Sequence, residues 1–590
     1  MSASDPDAYA ISYTTNGSCP NSSIVVVTID DFSGVTFTYN TASGFLPQNP
    51  NGFDLNNNDL IIENGTAFIS TETTFNKVTV QPNAVLDLDA NISVVDKVLF
   101  ESDATGTAQL DDATGVSITG NVEVERYIPA GQRAFRFVSP AVTTTTSIYE
   151  NWQENGASPT GFGTHITGST TGANGFDETE TGNPSMYRFN NAVENQSGGA
   201  AWTAITNTNV NELEAGAPYR LFVRGDRTID LTSNETTANE TVLRARGNLQ
   251  IGDFSPSISS FDGNFNFIGN PYQATVDFNQ LSLNGDINDN YIYVWDPQLG
   301  ETGSFVTIEL LDGSNTVGSN ANEFIQPGQA FFVRNNLTVS TAPSITFTEA
   351  SKDVAEEQLS TFSMLDYAKI NLQLRNTENT QISDGIGVRI SENFENEVND
   401  ADAGKLGNAG ENMAIVNSNQ LLSIEQRAIP EIGEEIQLFI NNFQGENYQL
   451  QLQLENWNEA DELFIKDEYL ETLTPITVEE AYNFSVDANI AESTSILRFS
   501  LVFGNVTLSD TNFENEAYSV YPNPTNNTLY ISGISESATI KVYDILGKEV
   551  FSQTNYIANE ALDVSQLEAG IYLIKVEGAG SSFTQKIIKK

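Results

Sequence analysis

Cysteine and histidine are almost missing from this 590-residue chain, since each occurs once, as Cys19 and His165. A single cysteine excludes an internal disulfide, and a single histidine excludes zinc sites of the Cys/His type and two-histidine iron sites within one chain. His165 lies in a loop rich in Gly and Thr, without a nucleophile-elbow pattern nearby. We therefore expect a solvated loop histidine and predict no catalytic residue.

Basic residues are scarce as well. The chain has 26 Lys and Arg against 78 Asp and Glu, which gives a net charge of −52. Such a surface repels phosphate, so we predict no nucleic-acid partner, and an anionic membrane face is disfavoured for the same reason. One interpretation of the acidity is solubility in a salty medium, where screening makes the charge tolerable. The other is binding of divalent cations on the acidic body.

Long apolar runs are also missing. No stretch approaches the roughly 18 apolar residues of a membrane-spanning helix, so we predict no transmembrane segment. The first residues, MSASDPDAYA, have neither a basic n-region nor an apolar h-region and do not form a signal peptide. If the protein is exported, we expect this chain to be a mature form or a fragment of a longer protein.

Short apolar runs separated by Asn, Thr, Ser and Gly predict strands and turns, hence an all-β, multi-domain fold. We assign residues 1–128 to a β-rich N-terminal region. From Leu60 to Ile128, apolar residues recur two apart, as on one face of a strand. This pattern fits a short parallel β-solenoid or an antiparallel meander, and the repeat has no fixed period that would separate the two.

Residues 129–348 form a second β-rich region with a weak internal repeat. Segment 213–227 resembles segment 325–336, and 128–140 is a looser copy; each joins a turn glycine to an aromatic-rich alternating run. Residues 361–505 alternate apolar and polar side chains over several runs, which predicts a β-sandwich. Residues 349–360 and 504–517 are polar, and we interpret both as linkers.

Two segments of the body have the D-x-N-x-N pattern, whose oxygen ligands suit Ca²⁺. Asn- and Asp-rich turns also form without metal, so both interpretations stay open. The tripeptide Arg224–Gly225–Asp226 matches an integrin-binding motif, but a turn at the end of a strand explains it without a binding role, and we prefer that interpretation. The candidate calcium ligands are Asp54, Asn56 and Asn58 in the first segment and Asp286, Asn288 and Asn290 in the second.

The last residues, 518–590, differ from the rest in charge and in pattern. They contain six lysines and seven acidic residues, a net charge of −1. Seven short strands are predicted there, which favours a small sandwich. Pro522 and Pro524 have no N–H and fix φ, and Asn523 is held extended because it precedes a proline. These three residues therefore end the first strand and direct the chain into the second.

Four blocks of this tail, VYPNPTNNTLYI, IKVYDILGKEV, LEAGIYLIKVEG and TQKIIKK, follow one another in order. Together they resemble the type A C-terminal sorting domain of type IX secretion, over about residues 518–590. The resemblance implies an immunoglobulin-like sandwich, an amino-terminal Sec signal on the complete protein and export across the outer membrane of Gram-negative bacteria. It also implies cleavage by a surface sortase within 504–517 and attachment to lipopolysaccharide or release. The sorting-signal residues would be Pro522, Asn523, Pro524, Gly547, Gly570 and Lys586.

The sequence as a whole therefore predicts a bacterial protein that is secreted or attached to the outer cell surface. Its expected partners are the type IX export machinery, the surface sortase and, for the body, surface glycans. We expect a body that serves adhesion or surface structure, without a cofactor other than calcium. The alternative is a surface enzyme or binding protein that acts on polysaccharides.

Overall fold

The computed structural model describes residues 34–232, 237–355, 367–378, 380–457, 462–504, 519–532, 537–544, 548–557, 560–578 and 581–590. It also describes the backbone of residues 8–14 and 22–28. At residues 519, 532, 578 and 581–584, too, only the backbone is described. The chain divides into two compact units, Met1–Asn505 (the body) and Val506–Lys590 (the C-terminal unit). The predicted all-β fold is confirmed. Helical geometry in the described residues is limited to short 3-10 turns at Glu154–Gly156, Ala173–Gly175, Ser197–Gly199, Phe278–Gln280 and Glu349–Ser351.

The body begins with β1 (Ala8–Thr14), β2 (Ser22–Thr28), β3 (Phe37–Asn40), β4 (Gly44–Leu46), β5 (Asp54–Ile62), β6 (Gly65–Ile69), β7 (Thr73–Val80), β8 (Ala84–Leu88), β9 (Ile92–Phe100), β10 (Ser102–Asp103), β11 (Gly106–Thr107), β12 (Gln109–Leu110) and β13 (Ile118–Ile128). Strands β3, β5, β7, β9 and β13 pair in parallel in one sheet, and β6, β8 and β12 pair in parallel in a second. The chain alternates between the two sheets, as in a coil. The parallel pairing confirms the solenoid interpretation over the meander.

Successive coils of this solenoid differ in length. Leu60, Val78, Val98 and Val122 occupy equivalent register positions, 18, 20 and 24 residues apart in turn. The third coil is longer partly because the β10–β11 hairpin is inserted between β9 and β12. These unequal coils explain why the sequence shows no fixed period, although all four side chains are buried in one column.

The middle of the body contains β14 (Ala134–Val138), β15 (Val142–Thr144), β16 (Thr167–Ser169), β17 (Asp177–Glu178), β18 (Met186–Phe189), β19 (Trp202–Ala204), β20 (Tyr219–Val223), β21 (Thr241–Leu249), β22 (Phe265–Gly269), β23 (Val276–Asp277), β24 (Ser282–Asn284), β25 (Tyr291–Asp296), β26 (Ser304–Glu309), β27 (Phe324–Ile325), β28 (Ala330–Arg334) and β29 (Ser344–Thr346). Strands β21 and β15 extend the solenoid's first sheet, since β21 pairs antiparallel with β13.

Two four-stranded sheets in this region share one topology. The first has the order β14-β20-β18-β19 and the second the order β22-β28-β25-β26, so in both the fourth strand along the chain inserts beside the first. The repeated segments 213–227 and 325–336 contain that inserted strand, β20 or β28. The weak sequence repeat therefore corresponds to a duplicated structural unit, which we call the first and second repeat.

Aromatic side chains fill the contact between the two repeats. The rings of Phe267 and Phe332 stack with centroids 4.6 Å apart, and Phe137 and Phe189 of the first repeat meet them edge-on at 4.9 and 5.1 Å. Offset and edge-to-face pairs of this kind add roughly 0.5–1.5 kcal/mol each to the burial of apolar area. The two sheets therefore pack face to face around an aromatic core.

The last part of the body contains β30 (Ala368–Asn376), β31 (Ile382–Ile390), β32 (Ala403–Gly404), β33 (Asn412–Asn417), β34 (Gln420–Arg427), β35 (Glu435–Asn441), β36 (Asn447–Glu455), β37 (Leu463–Asp467), β38 (Thr472–Ile476), β39 (Tyr482–Ser485) and β40 (Phe499–Phe503). These strands form one continuous sheet that curls around a single apolar core. The two ends of the sheet approach each other, because the Tyr482 hydroxyl of β39 donates to Asp467 Oδ2 of β37 at 2.9 Å.

The C-terminal unit contains β41 (Ser519–Tyr521), β42 (Thr528–Ser532), β43 (Ala538–Tyr543), β44 (Glu549–Tyr556), β45 (Leu562–Asp563), β46 (Gly570–Gly578) and β47 (Ser581–Lys589). They form a three-stranded sheet, β41-β42-β45, and a four-stranded sheet, β44-β43-β46-β47. Each of the seven strands lies where the sequence predicts one. The immunoglobulin-like topology stays a prediction.

Candidate functional site

The C-terminal unit is built on strict alternation of buried and outward side chains. Ile540 and Val542 of β43 and Ile574 and Val576 of β46 are all fully buried, while the residues between them face outward. Each such buried aliphatic side chain contributes on the order of 1.5–3 kcal/mol. This apolar core holds the two sheets of the unit together.

The Pro-Asn-Pro turn is fastened to the last strand through one side chain. The Asn523 amide donates from Nδ2 to the Lys586 carbonyl at 2.8 Å, and its Oδ1 accepts the Ile588 N–H at 2.9 Å. Pro522 and Pro524 have no N–H to offer a neighbouring strand. The Asn523 side chain therefore makes the two hydrogen bonds that a strand backbone would otherwise make.

The turn continues into a short parallel bridge with the chain's last residues. The Thr525 N–H donates to the Ile588 carbonyl, and the Lys590 N–H donates to the Thr525 carbonyl, both at 2.8 Å. The Thr525 hydroxyl donates to the Thr528 carbonyl at 2.6 Å and closes the turn. Residues 523–525 and 586–590 thus form one hydrogen-bonded edge.

The other predicted sorting residues lie near this edge or outside the described residues. Gly570 opens β46 opposite Lys589, and a Cβ there would meet only the Tyr572 ring at 3.6 Å or more. Lys586 is exposed on β47, with its carbonyl bound to Asn523. Gly547 and most of the 504–517 linker lie outside the described residues. The structure therefore brings Asn523, Lys586 and the start of β46 together at one end of the unit.

The first calcium segment is part of strand β5 and does not form a loop. Asp54 and Asn56 are exposed, whereas Asn58 is buried and donates from Nδ2 to the Val35 carbonyl at 2.7 Å. The three side chains therefore do not share one environment.

The second calcium segment uses its side chains in local hydrogen bonds. Asp286 accepts from the Ser340 N–H at 2.6 Å, and Asn288 and Asn290 both donate to the Asp400 carbonyl, at 2.7 and 3.2 Å. Across the described residues, no group of three or more His, Cys, Asp or Glu is placed to hold a metal ion. Calcium at either segment stays a prediction.

The expectation of a solvated His165 is wrong. His165 is buried, and its Nδ1 lies 3.3 Å from Oδ1 of Asp177. Burial alone would raise the pKa of the Asp177 carboxyl, but contacts with His165 and with the Arg227 guanidinium hold it well below its usual range. Both Asp177 oxygens accept from Arg227 at 2.9 Å. Asp177 therefore forms a structural ion pair with Arg227, and His165 lies against Asp177.

The Arg-Gly-Asp tripeptide is built into the fold. Asp226 is buried and accepts from the Gly161 N–H at 2.6 Å and from the Thr228 N–H at 2.8 Å. The Arg224 guanidinium lies over the Phe222 ring, 4.7 Å from its centroid. The turn interpretation therefore accounts for both charged residues.

One feature of the body was not foreseen from the sequence. A cleft of about 840 Å³ is lined by the end of β13, by β14 and by the segments around β25 and β28, and it contains Arg126, Arg136, Trp295 and Asp296. A signal does exist in the sequence, because all fourteen arginines of this acidic chain lie between residues 126 and 498. Nothing in the sequence tells which of these arginines have carboxylate partners.

Residues 519–590 match the family described as Secretion system C-terminal sorting domain. This match confirms the resemblance and identifies the C-terminal unit as a type IX sorting domain. The protein is therefore handled by the type IX export machinery and is secreted or attached to the outer cell surface. A helix long and apolar enough to span a membrane is not found in the described part of the chain.

A second family covers most of the body. A search of curated proteins gives no match. Residues 168–503, more than half of the chain, match the family described as Domain of unknown function (DUF8693), which spans part of the first repeat, the second repeat and the curled sheet. The chain therefore belongs to this family of unknown function and carries a type IX sorting domain at its C-terminal end.

Proposed function

We propose that the exported body serves adhesion or surface structure outside the cell, and that it does so as a rigid scaffold rather than as a catalyst. The observation that carries this proposal is the set of buried polar contacts that fasten the solenoid, the two repeats and the curled sheet to one another. A scaffold that bears force needs modules that do not slide against each other.

Glu349 supplies the first of these contacts. Its Oε2 accepts the Ala113 N–H of the solenoid at 3.0 Å and its Oε1 accepts the Gly252 N–H at 2.6 Å. Lys352 neutralises it at 2.6 Å and also donates to the Asp111 carbonyl at 2.9 Å. Both side chains are almost fully buried. Removing one member of such a pair costs about 3–5 kcal/mol, because the other charge stays buried.

A second contact joins the second repeat to the curled sheet. Arg389 of β31 donates from Nε to Glu309 of β26 at 2.9 Å, with both side chains buried. Nearby, the Ser304 hydroxyl donates to the Ser383 carbonyl at 2.7 Å. These contacts support a body whose modules respond to load as one piece.

The sortase is proposed as the partner that acts after export. By the family resemblance it would cleave within 504–517, and the body would then be anchored or released. The polar composition of that segment supports cleavage there, since exposed polar linkers are the usual sites of proteolytic nicking.

The proposal is tested in a type IX-competent strain. Cells that make the full chain are compared with cells that export a neutral reporter on residues 505–590 and with cells that make the body without residues 519–590. We expect protease-accessible surface chain in the first two strains and stronger attachment to a solid support in the first alone. Equal attachment of the first two strains would reject the adhesive role.

The cleft favours a second candidate, a polysaccharide-binding role. Glycoside cleavage uses two carboxylates that face the sugar, and among the described lining residues the cleft offers one, Asp296. We therefore place binding before cleavage. A reducing-sugar assay on soluble polysaccharides tests the enzyme alternative, and steady release of reducing ends by the purified chain would favour it.

A further inference from the structure

The cleft of about 840 Å³ differs from the rest of the body in its charge. Seven of the fourteen arginines form an ion pair with a carboxylate within the described residues. Arg126 and Arg136, which both line the cleft, do not. In a chain with a net charge of −52, two arginines without carboxylate partners in one cavity need a physical reason.

Arg126 enters the cleft from the end of β13. Its side chain passes over Gly328, where a Cβ would come within 3.2 Å of the Arg126 Cδ, so glycine leaves the space that the arginine occupies. Among the described residues its guanidinium has no hydrogen-bond or ion-pair partner. Burial lowers the pKa of Arg126 to about 10, and no charge in the described part of the chain offsets the effect.

Arg136 reaches the same cleft from β14. Its guanidinium donates to the carbonyls of Phe135 at 3.2 Å and Gln132 at 3.4 Å, which leaves the charge unneutralised. Burial lowers the pKa of Arg136 to about 10, and the Asp296 charge offsets this only in part. A bound anion would replace the solvation that both guanidinium groups have lost.

The rest of the described lining mixes apolar side chains with amides and contains one charged side chain, Asp296. The Asp296 carboxylate accepts hydrogen bonds from the Ser319 hydroxyl at 2.6 Å and from the Gln298 N–H at 2.9 Å. The side-chain amides of Gln298 and Asn320 are exposed at the rim. Cavities for apolar ligands are lined mainly by hydrophobic groups. Amide groups and arginines suit instead a ligand with many hydroxyl groups and a negative charge.

We propose that this cleft binds an acidic oligosaccharide, whose carboxylate or sulfate group pairs with Arg126 and Arg136 and whose hydroxyl groups bond the rim amides. The guanidinium fork fits a planar carboxylate or a sulfate in bidentate fashion. The inference deepens the proposed function and rests on it, because a surface protein meets such glycans outside the cell.

The test uses the purified full chain and calorimetric titration with four probes of similar length. These are oligogalacturonate for carboxylate, sulfated dextran for sulfate, neutral dextran, and polyglutamate as an anionic peptide. We expect one acidic glycan to bind, more weakly at high salt, and neutral dextran and polyglutamate not to bind. The acidic glycan that binds identifies the charged group that the cleft recognises.

Three variants locate the binding. R126Q/R136Q should weaken binding of the acidic glycan at least about tenfold for each charge-assisted hydrogen bond lost. R126K keeps the charge without the fork and should show a smaller loss. R246Q is the control for a single lost arginine charge: Arg246 pairs with Glu123 and does not line the cleft, so removing this charge should leave binding within about twofold.

The result is decisive even if the double variant does not fold. The binding glycan should raise the unfolding temperature of the unmodified chain, with an increase that follows the logarithm of its concentration above the Kd. The proposal is overturned if no acidic glycan binds, if neutral dextran or polyglutamate binds as tightly, or if R246Q loses as much affinity as R126Q/R136Q. Attachment of cells to a solid support is measured separately. If the purified chain binds the acidic glycan but cells that display the chain attach no better than cells that export the reporter, the proposed function is rejected and the assignment of the cleft stands.

Discussion

The body and the C-terminal unit use charge in opposite ways. All fourteen arginines belong to the body, while residues 518–590 have six lysines, seven acids and no arginine. Those last residues therefore carry a net charge of −1, and the rest of the chain carries −51. Both parts consist of β-strands, so they differ in the contacts that stabilise them and not in secondary structure.

In the body, several arginines pair with carboxylates inside the protein. Arg498 and Asp467 are the clearest case, with side chains 1% and 0% exposed and a separation of 2.7 Å between Nη2 and Oδ2. In the C-terminal unit the corresponding pairs lie at the surface, where Glu577 accepts from Lys541 and Lys575 at 2.9 Å each. Arginine suits the buried pairs because its planar fork satisfies a carboxylate with less desolvation than an ammonium.

The two parts therefore differ in the contacts that stabilise them. A body that stays outside the cell gains rigidity from buried ionic contacts. The C-terminal unit, which the export machinery recognises, relies on an apolar core and on hydrogen bonds at one edge. Substitutions that remove one contact at a time should therefore affect one part and leave the other unchanged.

The largest effect is expected from Arg498→Met. The change leaves Asp467 buried without its partner, so the body should lose about 3–5 kcal/mol of unfolding free energy. Urea unfolding followed by tryptophan fluorescence measures it, because Trp152, Trp202, Trp295 and Trp457 all belong to the body. A loss below about 1 kcal/mol would mean that the pair does not hold the curled sheet together.

The next effect concerns pH. Burial raises the pKa of Glu125 to about 7, although the Ser102 N–H donates to it at 3.2 Å. An acid whose pKa is raised by folding costs stability as pH rises from its ordinary value, near 4.5, to about 7. Glu125→Gln should therefore stabilise the body by about 1–3 kcal/mol at pH 8 and change it little at pH 4.5. The same fluorescence titration at both pH values decides, and an equal effect at both would contradict the assignment.

Asn523→Ala should affect the C-terminal unit alone. It removes the bonds to Lys586 and Ile588, a loss of about 1–2 kcal/mol at that edge. Hydrogen–deuterium exchange of the last peptide should become faster, while the tryptophan-detected unfolding of the body stays unchanged. Asn523→Asp is the companion variant, since it keeps the acceptor for the Ile588 N–H and loses the donor to Lys586. Unchanged exchange in both variants would show that the amide does not fasten the edge.

Local patterns in the sequence predicted the C-terminal unit well. Its seven strands follow from alternation and turn residues, which are properties of neighbouring residues. The pairing of the solenoid could not be predicted in the same way, because a period of two shows which face a residue occupies and not which strand lies beside it. The unequal coils between Leu60 and Val122 removed the remaining signal.

Residues far apart in sequence account for the errors about sites. His165 sits in a loop sequence that favours solvent, but it is buried against Asp177, which Arg227 pairs with from a third segment. The cleft was missed because the sequence does not show which arginines lack a nearby carboxylate in the folded protein. Asn523 was correctly placed in the turn, but its role depends on Lys586 and Ile588 at the other end of the unit.

The smallest effect, and the sharpest control for the comparison, is expected from Lys541→Gln. The pair with Glu577 is about one-third exposed, so water screens it and an ammonium lost there should not change the unfolding midpoint measurably. Exchange at β43 and β46 should match that of the unmodified chain, in contrast to the faster exchange expected at the last peptide for Asn523→Ala. If Lys541→Gln opened the unit as much as Asn523→Ala, surface charge would hold the sorting unit together. The two parts of the protein would then differ in composition only, and not in the physical basis of their stability.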